Sequence, residues 1–139
     1  MKKTKKVMAL LLCAITMAAV LSSCSKEDNY QRKIVGKWEV IHSYRSYGSS
    51  FNPVNFDHSL CQDHSAGDIW EFFSDGSVSV EDWEDIGTCT YSIQGDYLVM
   101  RVGFVLSYHI QELTNSSLII WEDKSFADEE TYIEFKKVR

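Results

Sequence analysis

Apolar and polar residues alternate with a period of two through one segment of this chain after another, which restricts those segments to half-buried β-strands. Cys89, Tyr91 and Ile93 alternate with Thr88, Thr90, Ser92 and Gln94. Leu106, Tyr108 and Ile110 alternate with Ser107, His109 and Gln111, and Ile133 and Phe135 with Tyr132, Glu134 and Lys136. Val78 and Val80 alternate with Ser77, Ser79 and Glu81. In a first strand, Trp38, Val40, His42 and Tyr44 fall on one side and Lys37, Glu39, Ser43 and Arg45 on the other, with Ile41 out of step. Between the runs, Asp75-Gly76, Gly95-Asp96, Gly103 and Asn115-Ser116 supply residues that tolerate positive φ and close tight turns. The pattern predicts eight strands, over 36–45, 68–74, 77–82, 87–94, 97–102, 105–113, 117–122 and 130–138. Strands so short and so tightly joined form an antiparallel up-and-down meander that curls into a sandwich or barrel. Two stretches break the rhythm: a long loop over 47–67, which holds Pro53, and the acidic tip Glu81 to Asp85. Long ordered loops of this kind commonly serve as lids or binding loops.

The N-terminal segment follows different rules. Lys2, Lys3, Lys5 and Lys6 precede Val7–Leu21, a run of 15 residues that is apolar except for Thr16. A membrane-spanning helix needs about 20 such residues, whereas a signal-peptide core is shorter. The run ends in Leu21-Ser22-Ser23-Cys24. The whole of 1–24 resembles a bacterial lipoprotein signal peptide. The resemblance implies removal of residues 1–23 and palmitate or a similar acyl chain on Cys24, which becomes the new N-terminus; an uncleaved anchor helix is the alternative. Ser25-Lys26-Glu27-Asp28 resembles the surface-export signal of one group of Gram-negative bacteria. It implies a lipid-anchored outer-membrane protein exposed at the cell surface, with a periplasm-facing anchor as the alternative. Cys13 lies in the discarded segment.

Removing 23 of 139 residues leaves 116, enough for one domain with its own core. The expected organisation is a signal peptide over 1–23, a lipidated cysteine and polar tether over 24–33, and a β-domain over 34–139. Asp28 or Asn29 is positioned to cap a short helical turn through Ile34, with residues 25–29 as the tether. Loss of the signal lysines leaves 10 basic against 20 acidic residues, a net charge near −10. Such a surface repels nucleic acid and anionic membranes, and no run of lysine or arginine offsets it. With Cys24 acylated, Cys61 and Cys89 remain. Export to an oxidising compartment favours a disulfide between them, two separate thiols being the alternative.

Gly36-Lys37-Trp38 resembles the opening of lipocalin-like families, whose first strand begins Gly-x-Trp with the tryptophan packed across the closed end of a barrel. Trp70-Glu71-Phe72-Phe73-Ser74-Asp75-Gly76 is similar to the second strand and hairpin of small bacterial lipocalin-like lipoproteins, and Tyr91 to Leu98 to their central hairpin. Leu113 to Leu118 and the closing Tyr132 to Val138 continue the likeness, which covers nearly all of the mature chain. It implies an eight-stranded lipocalin-like barrel. Barrels of this size are either filled by side chains or hold one small ligand. Trp38, Trp70, Phe72, Tyr91 and Tyr108 are the candidate lining residues of such a ligand site, with the 47–67 loop as its lid.

Other groupings point less directly to chemistry. Asp57, His58, Cys61, Asp63 and His64 provide zinc-type donors, but His58-x-x-Cys61-x-x-His64 is not a zinc spacing, and an exposed polar loop suits these residues as well. The carboxylates around Trp83 lack the spacing and glycine of an EF-hand loop. His42 and His109 have serines nearby, but no catalytic motif frames them. No metal or cofactor is expected. The reading is a non-enzymatic, membrane-anchored lipoprotein that binds a small apolar or aromatic molecule. The alternative is a surface protein- or glycan-binding module with a side-chain-filled barrel, its contacts made by Tyr44, Tyr47, Phe51 and Trp83.

Overall fold

Each alternating run forms the strand it predicts. The structure, a computed structural model, describes residues 25–47, 53, 56–61, 65–81, 83, 88–122 and 129–139. After helix α1 (Lys26–Ile34) come β1 (Gly36–Tyr47), a 3₁₀ turn (His58–Leu60), β2 (Ile69–Phe72), β3 (Ser77–Val80), β4 (Cys89–Gln94), β5 (Tyr97–Arg101), β6 (Val105–Leu113), β7 (Ser117–Glu122) and β8 (Glu129–Val138). Each strand pairs antiparallel with the next, and β8 returns to β1, giving a closed eight-stranded up-and-down barrel. The inward residues of every strand merge into one buried cluster.

Two register shifts alter which side chains face inward. The β1–β8 ladder slips between Val40 and His42, and the β6–β7 ladder between Ile110 and Glu112. Directly opposed residues share a face. Val40 opposes Phe135 inside the barrel, but beyond the slip His42 opposes Glu134 and Tyr44 opposes Tyr132, on the outer wall. The expected single face through Trp38, Val40, His42 and Tyr44 is therefore corrected. Ile41, the residue out of step, is the extra residue of a bulge that inverts the alternation behind it.

One end of the barrel is closed by α1. Ser25, not Asp28 or Asn29, caps the helix, its hydroxyl accepting from the Asp28 amide at 3.3 Å. Glu27 and Asp28 in the first turn and Arg32 and Lys33 in the last complement the helix dipole. Glu27 Oε2 accepts from the Gly95 amide at 3.1 Å, Lys26 pairs with Asp96, and Gln31 Nε2 donates to the Tyr91 hydroxyl at 3.2 Å. Ile34 is fully buried. The expected tether is thus, from Lys26 onward, a helix docked on the barrel: its capping and polar contacts, together with the burial of Ile34, hold it there.

Trp38 lies beneath this helix, fully buried, with Nε1 donating to the Ile34 carbonyl at 2.7 Å and the Lys137 ammonium 4.9 Å from its ring centroid. Gly36 makes the approach possible. Its φ is +126°, and a Cβ there would lie 2.9 Å from Lys137 Cε. Gly36→Ala is expected to destabilise the fold by about 1–3 kcal/mol, the usual cost of a side chain held in such a backbone region. Urea unfolding should show a lower midpoint with an unchanged slope; an unchanged midpoint would refute the requirement for glycine.

Candidate functional site

Three regions can be weighed as a site: the barrel interior, a notch in its wall, and its outer face. The interior is lined by the expected aromatic residues, but they contact one another. The Trp70 ring centroid lies 6.4 Å from Phe72, 6.4 Å from Tyr108 and 5.0 Å from Phe135, and Phe72 meets Tyr91 edge-on at 5.0 Å. Trp38, Trp70, Phe72, Tyr91 and Tyr108 are all buried. The Tyr91 hydroxyl donates to the Phe73 carbonyl at 2.8 Å, which satisfies its polar end without a ligand; burial holds the phenol above its usual pKa.

The notch lies where β3 and β4 part. Among the described residues, Ser77–Thr90 and Val78–Cys89 are the pairs across these strands. Beyond them a cleft of about 330 Å³ opens, lined by Val78, Val80, Trp83, Cys89 and the polar Ser79 and Thr88. Trp83 packs against the core with its ring 5.6 Å from Trp70, so it is not the exposed loop aromatic expected. Glu81 accepts from the Ile69 amide at 3.0 Å; Asp82, Glu84 and Asp85 lie outside the described residues.

The outer face carries a feature that the sequence pattern did not disclose. Cross-strand register sets Tyr97 of β5 beside His109 of β6, His109 beside Trp121 of β7, and Trp121 beside Tyr132 of β8. Tyr97 and His109 lie 4.2 Å apart by ring centroid, and His109 stacks on Trp121 at 4.1 Å and 16°. At the far end Phe56 stacks on Tyr132 at 4.1 Å and meets Tyr44 edge-on at 5.2 Å. The other end is open: Tyr97 is 40% exposed. The signal was present in sequence as aromatic or histidine residues at polar positions of four successive strands, but only the register aligns them.

The described part of the long loop, Phe56 and His58 foremost, lies against this wall; the rest of the expected lid is outside the described residues. His58 Nε2 is 2.6 Å from Glu134 Oε1, the oxygen that also accepts from the Tyr132 hydroxyl at 2.5 Å. Gly67 and Asp68 bond back to the Val40 backbone. Burial first, and then the Glu134 carboxylate, push the Tyr132 phenol far above its ordinary value of 10.0. A phenol with a raised folded pKa favours the fold below pH 10 and ceases to do so above it, where the unfolded chain ionises first. Stability is therefore expected to fall as pH rises past about 10, with a shallower fall in Tyr132→Phe. Equal slopes for the two proteins in alkaline urea titrations would refute this role for Tyr132.

Of the metal-like cluster, Asp57, His58 and Cys61 are described. Asp57 caps the 3₁₀ turn by accepting from the Ser59 amide at 2.9 Å, and His58 is engaged with Glu134. Asp63, His64 and Phe51 lie outside the described residues, as does Cys24, and of Tyr47 only the backbone is described. Among the described residues no group of three or more His, Cys, Asp or Glu side chains is placed to hold a metal ion, and no helix is long and apolar enough to cross a membrane.

Cys61 and Cys89 are not bridged to each other. Cys89 is buried on β4 within the interior cluster, whereas Cys61 follows the 3₁₀ turn that packs outside β8, so the barrel wall separates them. Alkylation of the denatured, unreduced mature protein is expected to modify both cysteines. Finding neither modified would restore the disulfide.

The chain matches no protein-family model and no curated protein.

Proposed function

We propose that this chain is a non-enzymatic, lipid-anchored recognition module of a bacterial outer membrane, exposed at the cell surface, whose lipocalin-like barrel is a packed scaffold and whose protein or glycan partner is met on the outer wall. The observation that carries this reading is the aromatic row Tyr97–His109–Trp121, placed outside a barrel whose interior rings already contact one another. Tyrosine and tryptophan combine a large apolar face with a polar handle and are enriched where proteins meet partners. The stack fixes these rings before any partner arrives, which lowers the ordering cost of binding. The lysines, the apolar run and Leu21-Ser22-Ser23-Cys24 support the address.

A small apolar ligand is the second reading, and the notch beside Trp83 and Cys89 favours it. Native mass spectrometry of the protein purified from its own host separates the two. The recognition reading expects no co-purifying small molecule. It also expects binding on oligosaccharide or protein arrays to fall at least tenfold in Tyr97→Ala/Trp121→Ala, with the melting temperature little changed. A co-purifying apolar molecule displaced by Val80→Trp would return the function to the notch.

A further inference from the structure

The chain is acidic as a whole, but the fold sorts its charges. Of the 10 basic residues outside the signal segment, four (Lys26, Arg32, Lys33 and Lys37) lie in α1 and at the start of β1. Three more, Lys136, Lys137 and Arg139, lie at the end of the chain, which the β1–β8 pairing brings to the same end of the barrel. Lys137 Nζ donates to the Lys33 carbonyl at 2.8 Å, joining the two groups directly. Seven acidic residues share this end, and five are engaged locally: Glu27 with Gly95, Asp96 with Lys26, Glu71 with Lys37, Glu39 with Lys136 and Asp75 with Ser77. Asp28 and Glu112, the latter beside the β6–β7 turn, complete the set. Seven basic against seven acidic residues leave this end neutral, while the remaining three basic and 13 acidic residues give the rest a charge near −10. The barrel thus assembles a neutral end on an acidic module, which the linear sequence does not show.

Two further observations point the same way. Ser25, the helix cap, is the only residue between Cys24 and the first residue of α1. Two peptide units span at most about 8 Å, so an acyl chain on Cys24 is held close to a helix that is itself docked on the barrel. Phe73 is 40% exposed in the β2–β3 turn, and its carbonyl is linked through the Tyr91 hydroxyl to Gln31 of α1. Basic side chains beside an exposed aromatic suit the headgroup region of a bilayer.

We infer that the closed end of the barrel is a membrane-seating surface: α1, the Phe73 turn and the end of β8 rest on the headgroups of a phospholipid bilayer, and the opposite end faces away. Charge favours this occupant, since the acidic remainder of the module is repelled by an anionic leaflet that the neutral closed end tolerates. The inference rests on acylation of Cys24, part of the function proposed above, and deepens that reading by fixing the orientation of the module.

The lysines provide the test. Lys26, Lys37 and Lys136 are 60%, 55% and 56% exposed in their side chains, so they react when uncovered. β7 and β8 meet the opposite end of the barrel at Glu122 and Glu129, and Lys124, which the sequence places between them, is the internal reference. The acylated protein, with its acyl mass on Cys24 verified first, is placed in vesicles of phosphatidylethanolamine and phosphatidylglycerol, treated with an amine-acetylating reagent and read by peptide mass spectrometry against the same protein in detergent. Lys26, Lys37 and Lys136 are expected to lose reactivity at least threefold relative to Lys124. In Arg32→Glu/Phe73→Ser, which alters only exposed side chains, that protection should fall by half or more. Uniform reactivity of all lysines would overturn the inference in favour of a barrel that dangles from its lipid, and protection of Lys124 instead would overturn it in favour of the inverted pose. Absence of the acyl mass would defeat the anchoring premise itself, an outcome distinct from both.

Discussion

Trp38→Ala is expected to leave the protein unfolded or nearly so at room temperature. The side chain is fully buried, it donates to the Ile34 carbonyl at 2.7 Å, and its ring lies under the Lys137 ammonium. Removing it opens a cavity beneath α1, strands a buried carbonyl and uncovers the closed end in one step. Loss of a large buried aromatic alone costs about 3–5 kcal/mol, and an unpaired buried acceptor adds about 1–3 kcal/mol. A domain of this size has about 5–15 kcal/mol in total. Circular dichroism and urea unfolding provide the measurement. A mutant that melts within a degree or two of the parent would show that the closed end does not depend on Trp38.

The second large effect concerns Cys24. Its substitution by alanine removes the one sulfur that the proposed pathway acylates. Cys24→Ala is therefore expected to abolish palmitate incorporation and to eliminate the mature acylated form. The effect on labelling is expected to be all-or-none because the proposed pathway acylates a single residue. Metabolic labelling with palmitate reads the outcome directly. Continued labelling of the mutant would mean that Leu21-Ser22-Ser23-Cys24 is not the signal proposed.

The barrel was legible in the sequence because burial in an antiparallel strand is written with a period of two, which survives without knowledge of partners. All eight strands lie within a few residues of their expected limits. What was not legible depends on register. Ile41 stands out of step in the sequence, but nothing local says whether the chain resumes its old phase after it or inverts. The pairing of His42 with Glu134 supplies the answer. The aromatic row was hidden for the same reason: His109 and Tyr132 each sit at a polar position of their own strand, and only the ladder places them in line with Trp121. The helix was misread at its start because Asp28 and Ser25 are both good caps, and contacts made 68 residues away, at Gly95, favour the earlier one. The sorting of charge escaped notice because the two halves of the neutral end are separated by nearly the whole chain.

A sheet that closes on itself has no edge strand to offer a neighbour. For a protein tethered to a surface this matters more than it does in solution, because anchoring concentrates copies in two dimensions and holds them in one orientation, conditions that favour strand addition between chains. The β3–β4 seam is the exception. With two opposed pairs among the described residues, it leaves the ladder shortest where the wall is already parted by the notch. Opening of the barrel is therefore expected to begin at that seam, and crowding on the membrane would act first on the amides of β3.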